Sequence, residues 1–137
     1  MKRSISLMFL ALLVVVGCSK ITPAPEIIIV DIDPVGGISA GSSVDIIFEN
    51  KNDIDAIITK CTTTYTDTMN TAPIVESDNI SLYINANTAT VTLTRTFGVL
   101  PALGGPTAGR SLQMVFTGTD AYGYNKTFTV TTPKICY

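Results

Sequence analysis

The side chains best suited to chemistry in this chain are oxygen donors and thiols. Asp53, Asp55, Asp120 and Asn125 stand at turns between apolar runs. Calcium takes about six to eight oxygens at roughly 2.3–2.6 Å, and these four would supply part of such a shell if their turns converge. The plainer reading is solubilising charge, since no EF-hand spacing accompanies them. Paired carboxylates such as Asp31 and Asp33 are also the groups that hydrolyse glycosidic bonds. A small β domain leaves little room for the cleft this needs. The chain has no His and no Trp, so the commonest general base and metal ligand is missing. No Ser-x-x-Lys nucleophile motif occurs after the first 20 residues; Gly37-Ile38-Ser39-Ala40-Gly41 has the Gly-x-Ser-x-Gly spacing, but the chain has no His to act as its base. Residues 98–109 lack the Gly-Lys-Ser/Thr ending of a phosphate loop. The expectation is a protein that is not an enzyme; a small hydrolase is the disfavoured alternative.

The three cysteines differ in context. Cys18 follows a basic start, Lys2 and Arg3, and an apolar run from Ile5 to Val16. That run is too short to span a bilayer as a helix and reads as a secretory signal. Val15-Val16-Gly17-Cys18 resembles the lipobox of bacterial lipoproteins. The resemblance implies cleavage before Cys18, a diacylglycerol on its sulfur, often a palmitate on the new amine, and hence a membrane partner reached through a lipid anchor. Ser19 after the cysteine resembles the outer-membrane-directed members of that family. The implied location is the bacterial cell envelope, in the outer membrane. Residues 1–17 are then a signal peptide, 18–25 a lipidated tether stiffened by Pro23 and Pro25, and 26–137 one domain.

Export also bears on Cys61 and Cys136. In an oxidising compartment a disulfide between them is the default, worth roughly 4 kcal/mol for a loop of about 75 residues. Two buried thiols acting as small hydrophobes are the alternative.

The formal charge is −2, and removal of Lys2 and Arg3 makes it more negative. Without clustered Lys and Arg, no nucleic acid partner is expected. Electrostatics would not hold the domain to anionic lipid either.

The elements that must position these groups read as strands. Ile28, Val30 and Ile32 alternate with Asp31 and Asp33; Val44, Ile46 and Phe48 alternate with Asp45 and Glu49. Ile54 to Tyr65 carries two conflicting apolar parities, which a bulge near Ile57-Ile58 reconciles. Residues 66–78 read as a loop with a short edge strand near Ile74-Val75. Ile80, Leu82 and Ile84 mark a fourth strand; Ala89 to Phe97, with its run of alternate threonines, a fifth. Leu112, Met114 and Phe116 mark a sixth, and Phe128 and Val130 a seventh. The expected fold is all-β, an antiparallel β-sandwich of about seven strands.

Phe116 to Asn125, with Thr119-Asp120 before a Gly-Asn turn, is similar to the last hairpin of bacterial immunoglobulin-like domains. Asp33-Pro34, Gly36 and Gly41 before an apolar strand also fit that family. An immunoglobulin-like order implies that turns 50–53, 85–88 and 120–125 lie at the tether end, and 34–42, 66–78 and 98–110 at the far end. It puts Cys61 and Cys136 on opposite flanks of the sixth strand, so their bond requires the tail after Pro133 to cross under that strand.

The far-end loop 98–110 is the expected partner surface, through Val99, Leu100 and Leu103, with Tyr122 and Tyr124 a second candidate patch. The function expected is a lipid-anchored binding or structural module of the cell envelope that presents loops to a protein or glycan. The alternative is a periplasmic inhibitor or chaperone-like factor working through the same loop. No cofactor is expected beyond the lipid, apart from the calcium reading.

Overall fold

Alternation of apolar and polar side chains builds most of the observed strands. The computed structural model describes residues 22–68, 72–101, 103 and 109–137. The stretch read as a signal peptide, Cys18 and residues 102 and 104–108 of the far-end loop lie outside the described residues. In chain order the strands are β1 (Ile27–Asp33), β2 (Ser43–Asn50), β3 (Ala56–Thr66), β4 (Ile74–Ile84), β5 (Val91–Thr96), β6 (Ser111–Asp120), β7 (Thr127–Thr131) and β8 (Ile135–Cys136).

They form two antiparallel sheets. One has the order β1-β2-β5; the other is β4-β3-β6-β7, with β8 also on β6. This is an antiparallel β-sandwich in which β4 pairs with β3 rather than with the β1-β2-β5 sheet. The inward side chains interdigitate. Val44, Ile46 and Phe48 from β2 meet Leu112, Met114 and Phe116 from β6, all fully buried. Phe48 and Phe116 touch edge to face, with ring centroids 5.1 Å apart and planes at 87°. Burying each such side chain stabilises the fold by roughly 1.5–3 kcal/mol.

The outward faces are wet, and hydroxyls pair across strands there. Ser43 and Thr96 stand 2.9 Å apart, Thr62 and Ser77 3.1 Å, and the Thr94 hydroxyl donates to Asp45 at 2.6 Å. Cross-strand pairs of this kind each add a few tenths of a kcal/mol to about 1 kcal/mol.

Two bulges change which residues face the core. The β1–β2 register slips between Ile29 and Asp31. Ile27 and Ile32 are therefore both buried while Val30 is exposed, so the expected Ile28/Val30/Ile32 face is not the inward one. The β3 register slips between Ile58 and Lys60 against both neighbours. That lets Ala56 and Ile58, then Cys61 and Tyr65, all point inward, one or two residues later than the sequence indicates.

β4 is longer than expected: the stretch read as a loop is strand from Ile74 onward. Its first six residues are exposed on both faces because it is an outer strand. Arg95 of β5 forms an ion pair with Asp78 of β4, which joins the two sheets.

Gly118 sits in a place no other residue fits. A Cβ there would come within 2.2 Å of the Ile57 carbonyl oxygen and 2.6 Å of the Phe128 ring. The ring of its cross-strand partner Phe128 takes the space instead.

Candidate functional site

The registers place Ile27 opposite Asn50, Ala56 opposite Ile84 and Asp120, and Phe48 opposite Val91. The start of β1 and the turns 51–55, 85–90 and 121–126 therefore share one end, and the loops after β1, β3 and β5 the other. The chain enters at the first end. There the Lys51 N–H donates to the Glu26 carbonyl at 2.8 Å, and Asn52 Nδ2 to the Ala24 carbonyl at 2.9 Å.

That tether end is organised by carboxylates. Asp120 closes the β6–β7 hairpin, accepting the backbone N–H groups of Lys126 at 2.5 Å, Tyr124 at 2.8 Å and Tyr122 at 3.2 Å. Burial opposes its charge, but those donors outweigh the desolvation and hold its carboxyl below the ordinary range. Gly123 and Asn125, both at positive φ, let the loop fold around it. Asp55 accepts the Ala86 N–H at 2.7 Å and the Tyr83 hydroxyl at 2.5 Å. The Ala86 bond first, then Tyr83, and more weakly Tyr122, keep its carboxyl below the ordinary range, and the same contact raises the Tyr83 phenol.

Around these carboxylates stand three tyrosines: Tyr83 is 50%, Tyr122 56% and Tyr124 54% exposed. The Tyr122 and Tyr124 rings lie 6.4 Å apart. Tyr83 was not among the expected site residues, although its parity between Leu82 and Ile84 already put it on the outward face.

The expected calcium set is not assembled. Among the described residues no group of three or more His, Cys, Asp or Glu could hold a metal ion. The oxygens of Asp55 and Asp120 are taken by donors of the chain itself. Asp53 and Asn125 are exposed.

The far end is closed differently. Of Val99, Leu100 and Leu103, the far-end residues expected to present a partner surface, only Val99 projects, at 82% exposure. Leu103 is buried in the core and Leu100 packs against it. Leu103 therefore plugs the open end of the sandwich. Its carbonyl accepts a hydrogen bond from the Arg110 guanidinium. Val35, in the loop after β1, is also exposed, at 62%.

Cys61 and Cys136 are not bonded; both are free, Cys61 buried and Cys136 exposed. The tail does not cross under β6. It runs on along the edge that β7 occupies, with Leu112 opposite Ile135 and Ser111 opposite Cys136. Cys61 lies opposite Phe116, five residues further along β6, or about 17 Å at roughly 3.3 Å per residue. Disulfide geometry demands Cα atoms within about 7 Å. Burial pushes the Cys61 thiol up, away from a reactive thiolate. Cys136 instead fastens the tail through its backbone: its carbonyl accepts the Gly37 N–H at 3.0 Å, and it bridges Gly36 in parallel.

Between β1 and the tail lies a shallow groove of about 230 Å³, lined by Ile29, Val30, Asp31, Ile32, Val35 and Pro133. It holds one carboxylate, Asp31, and no second acid or base to pair with it.

The strand order defines the class, an antiparallel β-sandwich, here with two dissimilar ends. Comparison of the chain with protein-family models, curated proteins and solved structures finds no match.

Proposed function

We propose that this chain is a lipid-anchored, non-enzymatic module of a bacterial cell envelope, holding its far-end loops toward a protein or glycan partner. The carrying observation is polarity. The chain enters the sandwich at one end, pinned through Ala24 and Glu26. Exposed Val35 and Val99 stand on loops at the other. With a lipidated Cys18, the entry end faces the bilayer and the valines face away from it. Exposed apolar residues on loops are a common mark of partner contact.

The test has two arms in the source cells. Metabolic labelling with an alkyne palmitate should mark the wild type and not Cys18→Ser. A photo-crosslinking residue at Val99 should capture one partner, and the same residue at Thr94, on the wet face of β5, should not. An unlabelled wild type overturns the anchor. Equal capture from both positions overturns the far-end surface. Turnover of glycan, ester or peptide substrates by the purified chain overturns the non-enzymatic reading.

A further inference from the structure

The tyrosines of the tether end have no role in the reading above. They cluster on one face, yet none belongs to the core. Tyr83 comes from the end of β4, and Tyr122 and Tyr124 from the β6–β7 hairpin. Each exposes about half of its surface. The Tyr83 hydroxyl donates to Asp55, and the backbone N–H groups of Tyr122 and Tyr124 donate to Asp120, so the backbone that carries the rings is in place before any contact. Tyr has an apolar body and a polar tip, which suits the boundary between headgroups and acyl chains.

Geometry supplies the occupant. Ala24 is pinned to the domain by Asn52, so the free chain from Cys18 is short. Fully extended at roughly 3.3–3.6 Å per residue, it reaches about 25 Å at most. β3 alone has 11 residues, about 36 Å of strand. A tether shorter than the domain does not let it invert, so the end that carries the tyrosines is the end turned to the bilayer.

Charge selects the lipid. Glu26, Glu49, Asp53 and Asp55 outnumber Lys51 and Lys126 at this end. That disfavours anionic headgroups and fits zwitterionic ones. The two carboxylates nearest the rings already have their own donors, so approaching a drier interface leaves neither of them unpartnered.

We propose that Tyr83, Tyr122 and Tyr124 form a bilayer-contacting face that seats the domain on a zwitterionic membrane surface in one orientation, instead of leaving it to swing on its lipid. This rests on the lipid anchor at Cys18. The absence of Trp makes the test clean. Full-length chain is purified from membranes, and mass spectrometry reads the mass added at Cys18. It is then reconstituted in phosphatidylethanolamine–phosphatidylcholine vesicles carrying lipids brominated high on the acyl chain. Tyr83→Trp and Tyr122→Trp, each a single reporter, should lose emission to the bromines; Val35→Trp at the far end should not. Adding phosphatidylglycerol should weaken the quenching. Changing Tyr124 to Ser in the Tyr122→Trp chain should relieve part of it.

An unquenched reporter at 83 and 122 in a chain with a confirmed lipid overturns this face and leaves the anchor standing. An unmodified Cys18 overturns both. Equal quenching at 35, 83 and 122 overturns the single orientation. Protection of the reporters by cell-wall oligosaccharide in place of lipid would assign the face to a glycan and overturn the proposal. Circular dichroism of each variant confirms that the sandwich is intact.

Discussion

At the tether end Asn and Asp side chains close every turn, whereas the described far-end loops combine backbone contacts and an apolar plug with a few side-chain bonds such as Ser39 N–H to the Ser42 hydroxyl. Asn50 donates to the Ile54 carbonyl and accepts the Asn52 N–H; Asn85 accepts the Asn87 N–H; Asp55 and Asp120 do the same work with charge. Opposite them, the loop after β1 is held by backbone contacts to the tail at Cys136, and Leu103 seals the core from above. Short polar turns give a surface of fixed shape. An apolar plug under a longer loop gives a surface whose shape depends on one side chain staying in place. The two ends should therefore respond to different insults.

The largest effect belongs to the contact that serves both. Phe116→Ala removes the ring that meets Phe48 and should cost about 3–5 kcal/mol, read as a lower urea midpoint with the slope unchanged. Leu103→Ala should cost about 2–3 kcal/mol. Hydrogen exchange should rise at Leu103 and Arg110 and not in the β6–β7 hairpin; a rise spread evenly over both ends would erase the contrast.

Acid should act on the other end. Asp55 and Asp120 have carboxyls lowered from the ordinary value of 3.8. Their contribution is fully present above that value and is lost as the pH falls through the lower folded values. Thermal melts from pH 6 to 2 should show a drop below about pH 4, and Asp120→Asn should flatten it. An unchanged acid limb in that variant would show that the hairpin does not depend on the charge.

The smallest effect is expected from Cys136→Ser and from reducing agent, each within about 0.5 kcal/mol of the untreated wild type. A clear loss with reductant would mean that the two cysteines do pair.

Much of the architecture was legible because β2 and β6 each bury one face and β5 half-buries one, and such a face writes itself as strict alternation. The β3 bulge was legible for the same reason. Ile58 and Cys61, three apart, demanded one face, and only an irregular register allows it. The first half of β4 left no such trace. It buries neither face, so nothing in Glu76-Ser77-Asp78-Asn79 has to alternate, and only the hydrogen bonds to β3 make it a strand. The site was harder to read. Leu103 sits among Gly, Pro and Ala, so its sequence neighbours signal a loop while its side chain joins the core. Cys136 could be placed past β7, but not on which side of β6 the tail would run. That depends on backbone pairing with Leu112 and Ser111 rather than on any side-chain pattern. Tyr83 and Asp55 come together across β3 and β4, a juxtaposition that needs the register and not the spacing.

The opposed ends also have a mechanical consequence. A load between the pinned start at Ala24 and a partner held at Val99 would enter along β1 and leave along β5, perpendicular to the hydrogen bonds that join both strands to β2. Those bonds would then be strained together in shear instead of opening one after another. Such a module would pass tension from its far end to its entry end without unfolding at the first tug.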